Sequence, residues 1–232
     1  MVRVTLSLLV CSLVLSGCFP TQAPKRFTVY HSAAEAAGAT DLFHLDLRGA
    51  GLTEVPSDVF TLQGMAKLTL RDNTLNTLPV GFGALHSLPW LDLGSAGVKN
   101  LPPEIGQLDS LITFYLSGNQ LQSLPPEIGQ LKALNYLNLD HNQLAELPRE
   151  IGLLQNLKWL RLNGNQLVVL PDEITDLENL ERLYARNNKL KALPGDLDKL
   201  KNIEWILLEG NAIPEEERER IRTALPNCEV VF

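Results

Sequence analysis

Two adjacent segments of equal length decide the fold: LITFYLSGNQLQSLPPEIGQLKA at residues 111–133 and LNYLNLDHNQLAELPREIGLLQN at residues 134–156. Both carry apolar residues at positions 1, 4, 6, 11, 14, 18 and 21, an asparagine at position 9 and a proline at position 15. The same spacing continues without insertion over residues 42–213, which makes seven full units and a partial eighth. Leucine supplies 47 of the 232 residues, and all 49 apolar positions of the full units hold apolar residues. So regular a period predicts a stack of one supersecondary unit.

Each unit opens with the pattern LxxLxL, whose alternating leucines fit a short strand with one buried face. Neighbouring parallel strands lie about 4.8 Å apart, so eight such strands predict a ladder of roughly 38 Å. The proline at position 15 has no backbone N–H, and it therefore fits an irregular return segment better than a central strand. A single unit cannot bury its own apolar face, so we expect stability to come from stacking on the neighbouring units.

The consensus LxxLxLxxNxLxxLPxxIxxLxx resembles the leucine-rich repeat family, in its 23-residue LPxxI type, over about residues 42–213. The resemblance implies an α/β solenoid, a right-handed superhelix bent into a horseshoe arc, with a parallel strand ladder on the concave side and helical caps. It also implies that the position-9 amides are buried and bond the backbone of adjacent units, since an amide both donates and accepts. These structural asparagines are Asn73, Asn119, Asn142, Asn165, Asn188 and Asn211. Alanine stands in their place at Ala50 and Ala96, where we expect looser turns.

Both ends of the repeat region need a cap, because a bare terminal unit exposes core and a strand edge. Ser32 and Glu35 match a capping box, which predicts a short helix in an N-terminal cap at residues 31–41. Pro214, followed by three glutamates, predicts a helix that opens a C-terminal cap at residues 214–232, with a final strand from residue 228. Cys228 is expected to be a buried structural cysteine, since no histidine or CxxC motif lies near it in sequence.

The N-terminal segment, residues 1–18, has the character of an export signal. An apolar run from Val4 to Leu15 is too short to span a bilayer but suits the core of a secretory signal at residues 1–17. The run ends in Leu-Ser-Gly-Cys, which resembles the lipobox of bacterial lipoproteins. The resemblance implies cleavage before Cys18, diacylglyceryl and fatty acyl groups on that cysteine, and a tether at residues 18–30. Because Phe19 rather than aspartate follows, it also implies an outer-membrane location. No cofactor beyond this lipid is expected, and the lipid is the expected contact with a membrane.

Composition and motifs argue against several functions. A net charge of −7 and a pI of about 5.1 argue against nucleic-acid binding. The sequence contains no phosphate-cradling glycine loop, no HExxH or GxSxG motif and no Cys/His cluster, so we expect neither an enzyme nor a metal site. A catalytic interpretation could best use His44 and Asp46, which share one face of a predicted strand, but we expect them to be a solvated pair.

The predicted concave face, onto which positions 3, 5, 7 and 8 project, is the candidate site. Positions 3 and 5 hold all three tryptophans and three of the four tyrosines, a composition typical of binding hot spots. Aromatic side chains also favour strands and shield a sheet, so packing alone is the alternative explanation. The candidate partner-binding residues are Trp90, Tyr115, Tyr136, Trp159, Arg161, Arg182, Tyr184, Arg186 and Trp205. The three arginines of this set, with Trp159 and Tyr184, form a patch suited to acidic side chains or a carboxylate.

The sequence therefore predicts a monomeric, lipid-anchored, extracytoplasmic module that binds a protein or peptide and is not catalytic. One alternative is a carbohydrate-binding lipoprotein whose aromatic side chains stack on sugar rings. The other is a purely structural lipoprotein of the cell envelope whose concave face binds nothing. Salt dependence distinguishes a protein ligand from a glycan. An arginine-led protein contact should weaken with salt, whereas glycan binding should survive high salt.

Overall fold

The computed structural model describes residues 28–232, so the predicted signal peptide, Cys18 and most of the predicted tether lie outside the described residues. Within that range ten parallel strands form one open sheet in chain order. The strands are β1 (Thr28–Tyr30), β2 (Phe43–Asp46), β3 (Met65–Thr69), β4 (Trp90–Asp92), β5 (Thr113–Tyr115), β6 (Tyr136–Asn138), β7 (Trp159–Arg161), β8 (Arg182–Tyr184), β9 (Trp205–Leu207) and β10 (Glu229–Val231).

From β3 to β9 each step across the sheet leads from a residue to the equivalent position of the next unit. Trp90 pairs with Thr113, which pairs with Tyr136, and the same register continues through Trp159 and on to the end of the ladder. Between β2 and β3 the register shifts once, after Phe43. This register places residues from one position of successive units side by side.

The chain returns on the opposite side through short 3-10 helices. In the first six units the position-15 proline immediately precedes the helix, where its missing N–H costs no ladder hydrogen bond. The seventh helix begins two residues later than this pattern. The 3-10 helices span Ser57–Thr61, Val80–Leu85, Pro103–Gln107, Pro126–Gln130, Arg149–Leu153, Asp172–Asp176 and Leu197–Lys199.

The apolar positions of the units form one continuous core between the sheet and the 3-10 helices. All 49 of them are buried except Leu42, Leu52 and Leu62, which belong to the first unit. No unit seals its core alone, since each strand and each 3-10 helix is covered by the next one. This is the stacking that the sequence predicts.

The position-9 asparagines tie each unit to the one before it. Asn142 donates through Nδ2 to the carbonyls of Leu139, in its own unit, and Leu116, in the preceding unit, both at 3.0 Å. Its Oδ1 accepts from the backbone N–H of Leu121 at 3.1 Å. The other five asparagines make the same three bonds, so all six tie neighbouring units together.

The turn that contains Ala96 is held by the next asparagine along the chain. Asn119 Oδ1 accepts from the N–H groups of both Ala96 and Val98, at 3.1 and 2.9 Å. An asparagine at position 96 would instead serve the preceding unit, where the Ala96 carbonyl accepts from Leu75 N–H at 2.8 Å. The hydrogen bonds of the missing amide thus concern the preceding unit, and the looser turn expected at Ala96 stays a prediction.

A second set of asparagines lies on the outer surface, at position 23 of three consecutive units. Asn156, Asn179 and Asn202 each donate through Nδ2 to a backbone carbonyl of the preceding unit at 2.8 Å. These contacts are exposed, unlike those of position 9. Their recurrence at one position is visible in the sequence, although no structural role was predicted for them.

The N-terminal cap begins earlier than the sequence indicates. Residues 28–30, assigned to the tether by the sequence analysis, form β1 and pair with β2. Tyr30 packs edge-on against Phe43, with ring centroids 5.4 Å apart, which explains why this short segment is held on the sheet. Helix α1 (Ala33–Ala36) follows, and Ser32 Oγ accepts from the backbone N–H of Glu35 at 3.2 Å, as the capping box predicts.

The C-terminal cap closes the last units through helix α2 (Glu215–Ala224) and β10. Pro214 immediately precedes the helix. Arg220 donates to the carbonyl of Leu193 at 2.8 Å, so the helix satisfies backbone groups of the seventh unit. The core with both of its caps lies within residues 28–232. A shortened protein of residues 21–232 therefore contains the whole described fold.

Candidate functional site

The concave face carries a continuous line of aromatic rings across four strands, here called the aromatic run: Trp90, Tyr115, Tyr136 and Trp159. Successive ring centroids lie 5.5, 5.0 and 5.8 Å apart, in tilted and edge-on arrangements. All four side chains are half-buried. Burial raises the pKa of Tyr136 to about 12. The aromatic run follows from the register, because positions 3 and 5 of neighbouring units stand next to each other.

Two of the three arginines of the predicted patch already have carboxylate partners within the fold. An Nη2 to Oδ2 distance of 2.6 Å separates Arg161 from Asp140, whose side chain is 5% exposed. Arg186 pairs with Glu209 at 2.7 Å. All three arginines were predicted to bind a partner, whereas Arg161 and Arg186 form ion pairs with side chains of neighbouring units.

The third arginine, Arg182, stands between two tryptophans. Its register partners on β7 and β9 are Trp159 and Trp205, and its Cζ lies 4.8 Å from the Trp159 ring centroid. Trp205 is 36% exposed, the highest value among the position-3 residues. Beside them, Arg161 lies over the ring of Tyr184 at 5.3 Å. The structure thus brings the C-terminal members of the predicted set together, with Trp205 as their most accessible ring.

His44 and Asp46 are not the solvated pair that the sequence predicts. His44 is 7% exposed, its Nε2 lies 2.8 Å from Thr69 Oγ1, and its ring packs edge-on against Trp90 at 6.2 Å. Burial lowers the pKa of His44. Asp46 Oδ1 instead accepts from the backbone N–H of Arg48 at 3.1 Å. His44 is buried because side chains of neighbouring strands cover it from the side. The sequence of its own strand does not reveal that burial.

Cys228 is half-buried against the core, less covered than expected. Burial raises the pKa of its thiol to about 11, so the thiol stays protonated at neutral pH. Within residues 28–232 no group of three or more His, Cys, Asp or Glu side chains is placed to hold a metal ion. In the same range, no helix has both the length and the apolar character that crossing a membrane requires.

These features define a repeat solenoid whose parallel strands present side chains along one concave face. A model described as leucine rich repeat matches residues 40–98 and 90–144, and one described as leucine-rich repeat region matches residues 127–220. The chain therefore belongs to the leucine-rich repeat family. Domains of this kind generally serve as protein-interaction modules. No match was found among curated protein sequences.

Solved structures of leucine-rich repeat proteins share the fold. A leucine-rich repeat protein of Leptospira interrogans is 39% identical, with a TM-score of 0.64 over 82% of this chain and 54% of that one. An internalin of Listeria monocytogenes is 18% identical, with a TM-score of 0.63 over 77% of this chain and 50% of that one. This chain thus spans about half the length of each.

A plant receptor provides a third comparison. It is the leucine-rich repeat ectodomain of the membrane receptor kinase GASSHO1/SCHENGEN3 from Arabidopsis thaliana, solved in complex with Casparian strip integrity factor 2. The identity is 26% and the TM-score 0.57, over 82% of this chain and 26% of that one.

Proposed function

We propose that this protein is a lipid-anchored, extracytoplasmic module that binds a protein or peptide on its concave face and performs no catalysis itself. The observation that carries the proposal is the aromatic run, which leads through Arg182 to the accessible ring of Trp205. Tryptophan, tyrosine and arginine are the side chains that most often dominate binding energy in protein interfaces.

The aromatic run is also ordered before any partner arrives. Each ring contacts the next at 5.0 to 5.8 Å, and Arg161 is fixed by Asp140. Side chains that are already immobilised lose little conformational entropy on binding, which removes one of the main costs of association. Mixed charges beside the run, such as Arg186 with Glu209, suit a polar rim around it.

A carbohydrate ligand is the alternative. Sugars need open ring faces, whereas the rings of the aromatic run contact each other and are half-buried. Trp205 is the more accessible ring, but a single platform favours a side chain of a protein partner over an extended glycan. This geometry supports a peptide or protein ligand over a sugar.

The test is capture of partners from envelope extract by residues 21–232, compared with two double variants. Trp159→Ala with Trp205→Ala removes rings from the concave face. Val168→Ala with Val169→Ala, which are 52% and 59% exposed, is the matched control away from that face. We expect the concave variant to lose a specific protein that the control retains. Identical captured proteins from both folded variants would contradict the proposal, and capture of glycans that survives high salt would favour the alternative.

The lipid anchor is a separate part of the proposal. It is supported by the lipobox-like residues at 15–18 and by the apolar run before them. Two or more acyl chains on Cys18 would hold the protein stably on a membrane, and Phe19 favours the outer membrane. Incorporation of a fatty-acid probe should disappear in Cys18→Ser, and label that persists would reject the anchor without affecting the concave site.

A further inference from the structure

Arg182 differs from the other half-buried arginines of the concave face. Arg71, Arg161 and Arg186 each donate Nε–H to a carboxylate of a neighbouring unit, at 2.7 to 2.9 Å. The guanidinium of Arg182 makes no hydrogen bond within residues 28–232, and its Nε is buried without a partner. Its carboxylate neighbour, Glu204, lies 4.0 Å from Nη2, beyond hydrogen-bond distance.

The surroundings of Arg182 hold the guanidinium in place and exclude much of its water. The side chain is 20% exposed, against 37% for Arg161 and 43% for Arg186. It lies on the indole of Trp159, and the next strand places Trp205 beside it. The cation is thus oriented by an aromatic face rather than by an acid, which leaves its hydrogen-bonding groups for another molecule.

Partial burial of such a group without a hydrogen-bonding acceptor is costly, and a bound anion relieves that cost. Because Nε is covered, an incoming carboxylate would meet the two Nη groups, which can donate side by side to its two oxygens. A pair formed here is less screened than one on an open surface. The two tryptophans that flank the cation offer apolar contacts on both sides of that carboxylate.

We infer that Arg182 receives an aspartate or glutamate side chain of the partner, flanked in the partner by apolar residues that contact Trp159 and Trp205. The inference rests on the proposed function and adds the chemistry of the ligand. Glu204 acts as an internal competitor: its side chain is 58% exposed and near enough to weaken the attraction, but too distant to occupy the donors. Removing its charge therefore strengthens binding of the acid.

Two tripeptide probes test the inference: acetyl-Leu-Glu-Leu-amide and its glutamine counterpart, acetyl-Leu-Gln-Leu-amide. Each is titrated at low salt into 15N-labelled residues 21–232, while the arginine Nε–H and tryptophan indole N–H signals are followed by NMR. We expect the glutamate peptide to bind about tenfold more tightly, as a charge-assisted hydrogen bond predicts. Arg182→Gln abolishes this preference, and Glu204→Gln increases it.

The matched control is Arg149→Gln, which removes the same charge from a side chain that is 77% exposed on a 3-10 helix. It should leave the preference unchanged. Equal affinity for the two peptides, a preference that survives in folded Arg182→Gln, or no saturable shift up to the solubility limit would each overturn the inference. The capture experiment tests the proposed function separately. If one of these results is obtained while partner capture still depends on the concave rings, Arg182 does not bind an acid but the proposed function is unaffected.

Discussion

The carboxylate of Asp140 joins two neighbouring units by accepting hydrogen bonds from Arg161 Nε at 2.7 Å and from the backbone N–H of Asn163 at 2.7 Å. The Asp140 side chain is 5% exposed and that of Arg161 37%. Arg161 in turn lies over the ring of Tyr184. The position of this charge on the concave face is therefore fixed by a buried acid, and the same acid contributes to the stacking of the solenoid.

Asp140→Asn should destabilise the protein by about 2 kcal/mol, because it leaves a half-buried guanidinium without its counter-charge. The matched control is Glu209→Gln, whose pair with Arg186 is 35% and 43% exposed and should contribute about 0.5 kcal/mol or less. Urea denaturation of both variants measures the difference. Equal losses would show that burial of the acid does not set the strength of these pairs.

The asparagines allow a similar comparison. Asn142→Ala removes three hydrogen bonds from buried backbone groups and should cost about 3 kcal/mol. Asn156→Ala removes one exposed bond and should cost less than about 1 kcal/mol. Thermal or urea unfolding of the two variants provides the measurement. A loss for Asn156→Ala as large as for Asn142→Ala would contradict the distinction between the inner and outer asparagines.

The fold could be predicted because its core residues occupy the same positions in every unit. Leu137 and Leu160, for example, occupy the same position of two units, pair in the sheet and are fully buried. Strand β1 could not be predicted, since Thr28–Tyr30 stands outside the period and is held by the contact of one ring with Phe43. The period reveals only the units that repeat. A cap does not repeat, so the period does not predict its strands.

The candidate site could be predicted in composition but not in its electrostatics. The repeat positions bring the rings onto neighbouring strands, yet the partner of Arg161 lies 21 residues earlier, at a different position of the preceding unit. Arg71 and Asp92 form the same diagonal with the charges exchanged. A search for opposite charges at this one sequence separation could have found both pairs. The burial of His44 depends on side chains of other strands, so no local pattern reveals it.

Acid should weaken the N-terminal end of the solenoid through His44. Burial lowers the pKa of His44 in the fold, while the unfolded chain keeps a value near 6.5, so the unfolded state binds more protons below that pH. Asp46 opposes this shift, whereas Lys67, Arg48 and His31 add to it. The stability present at neutral pH is therefore lost as the pH falls below about 6.5.

His44→Gln should remove this part of the pH dependence. Free energies of unfolding from urea titrations, at about pH 7.5 and about pH 5.5, should fall more steeply on acidification in the wild-type protein than in the variant. The variant carries every other titratable group, so the comparison isolates His44. Parallel curves for the two proteins would mean that the buried imidazole does not contribute.

Close stacking of the 3-10 helices depends on glycine at position 19. A Cβ atom at Gly152 would lie 2.4 Å from the backbone oxygen of Glu173 in the next unit, so Gly152→Ala should cost about 2 kcal/mol. Gly195, where an added Cβ meets nothing within 4 Å, is the matched control. Gly195→Ala should change stability by less than about 1 kcal/mol, since it only restricts the unfolded chain. Thr175 occupies position 19 of the sixth unit and is itself buried, which is possible because the following 3-10 helix begins late, at Leu197. Unfolding of Gly152→Ala and Gly195→Ala at the same urea concentration would contradict this prediction. It would show that neighbouring units move apart enough to accommodate the added Cβ at little cost.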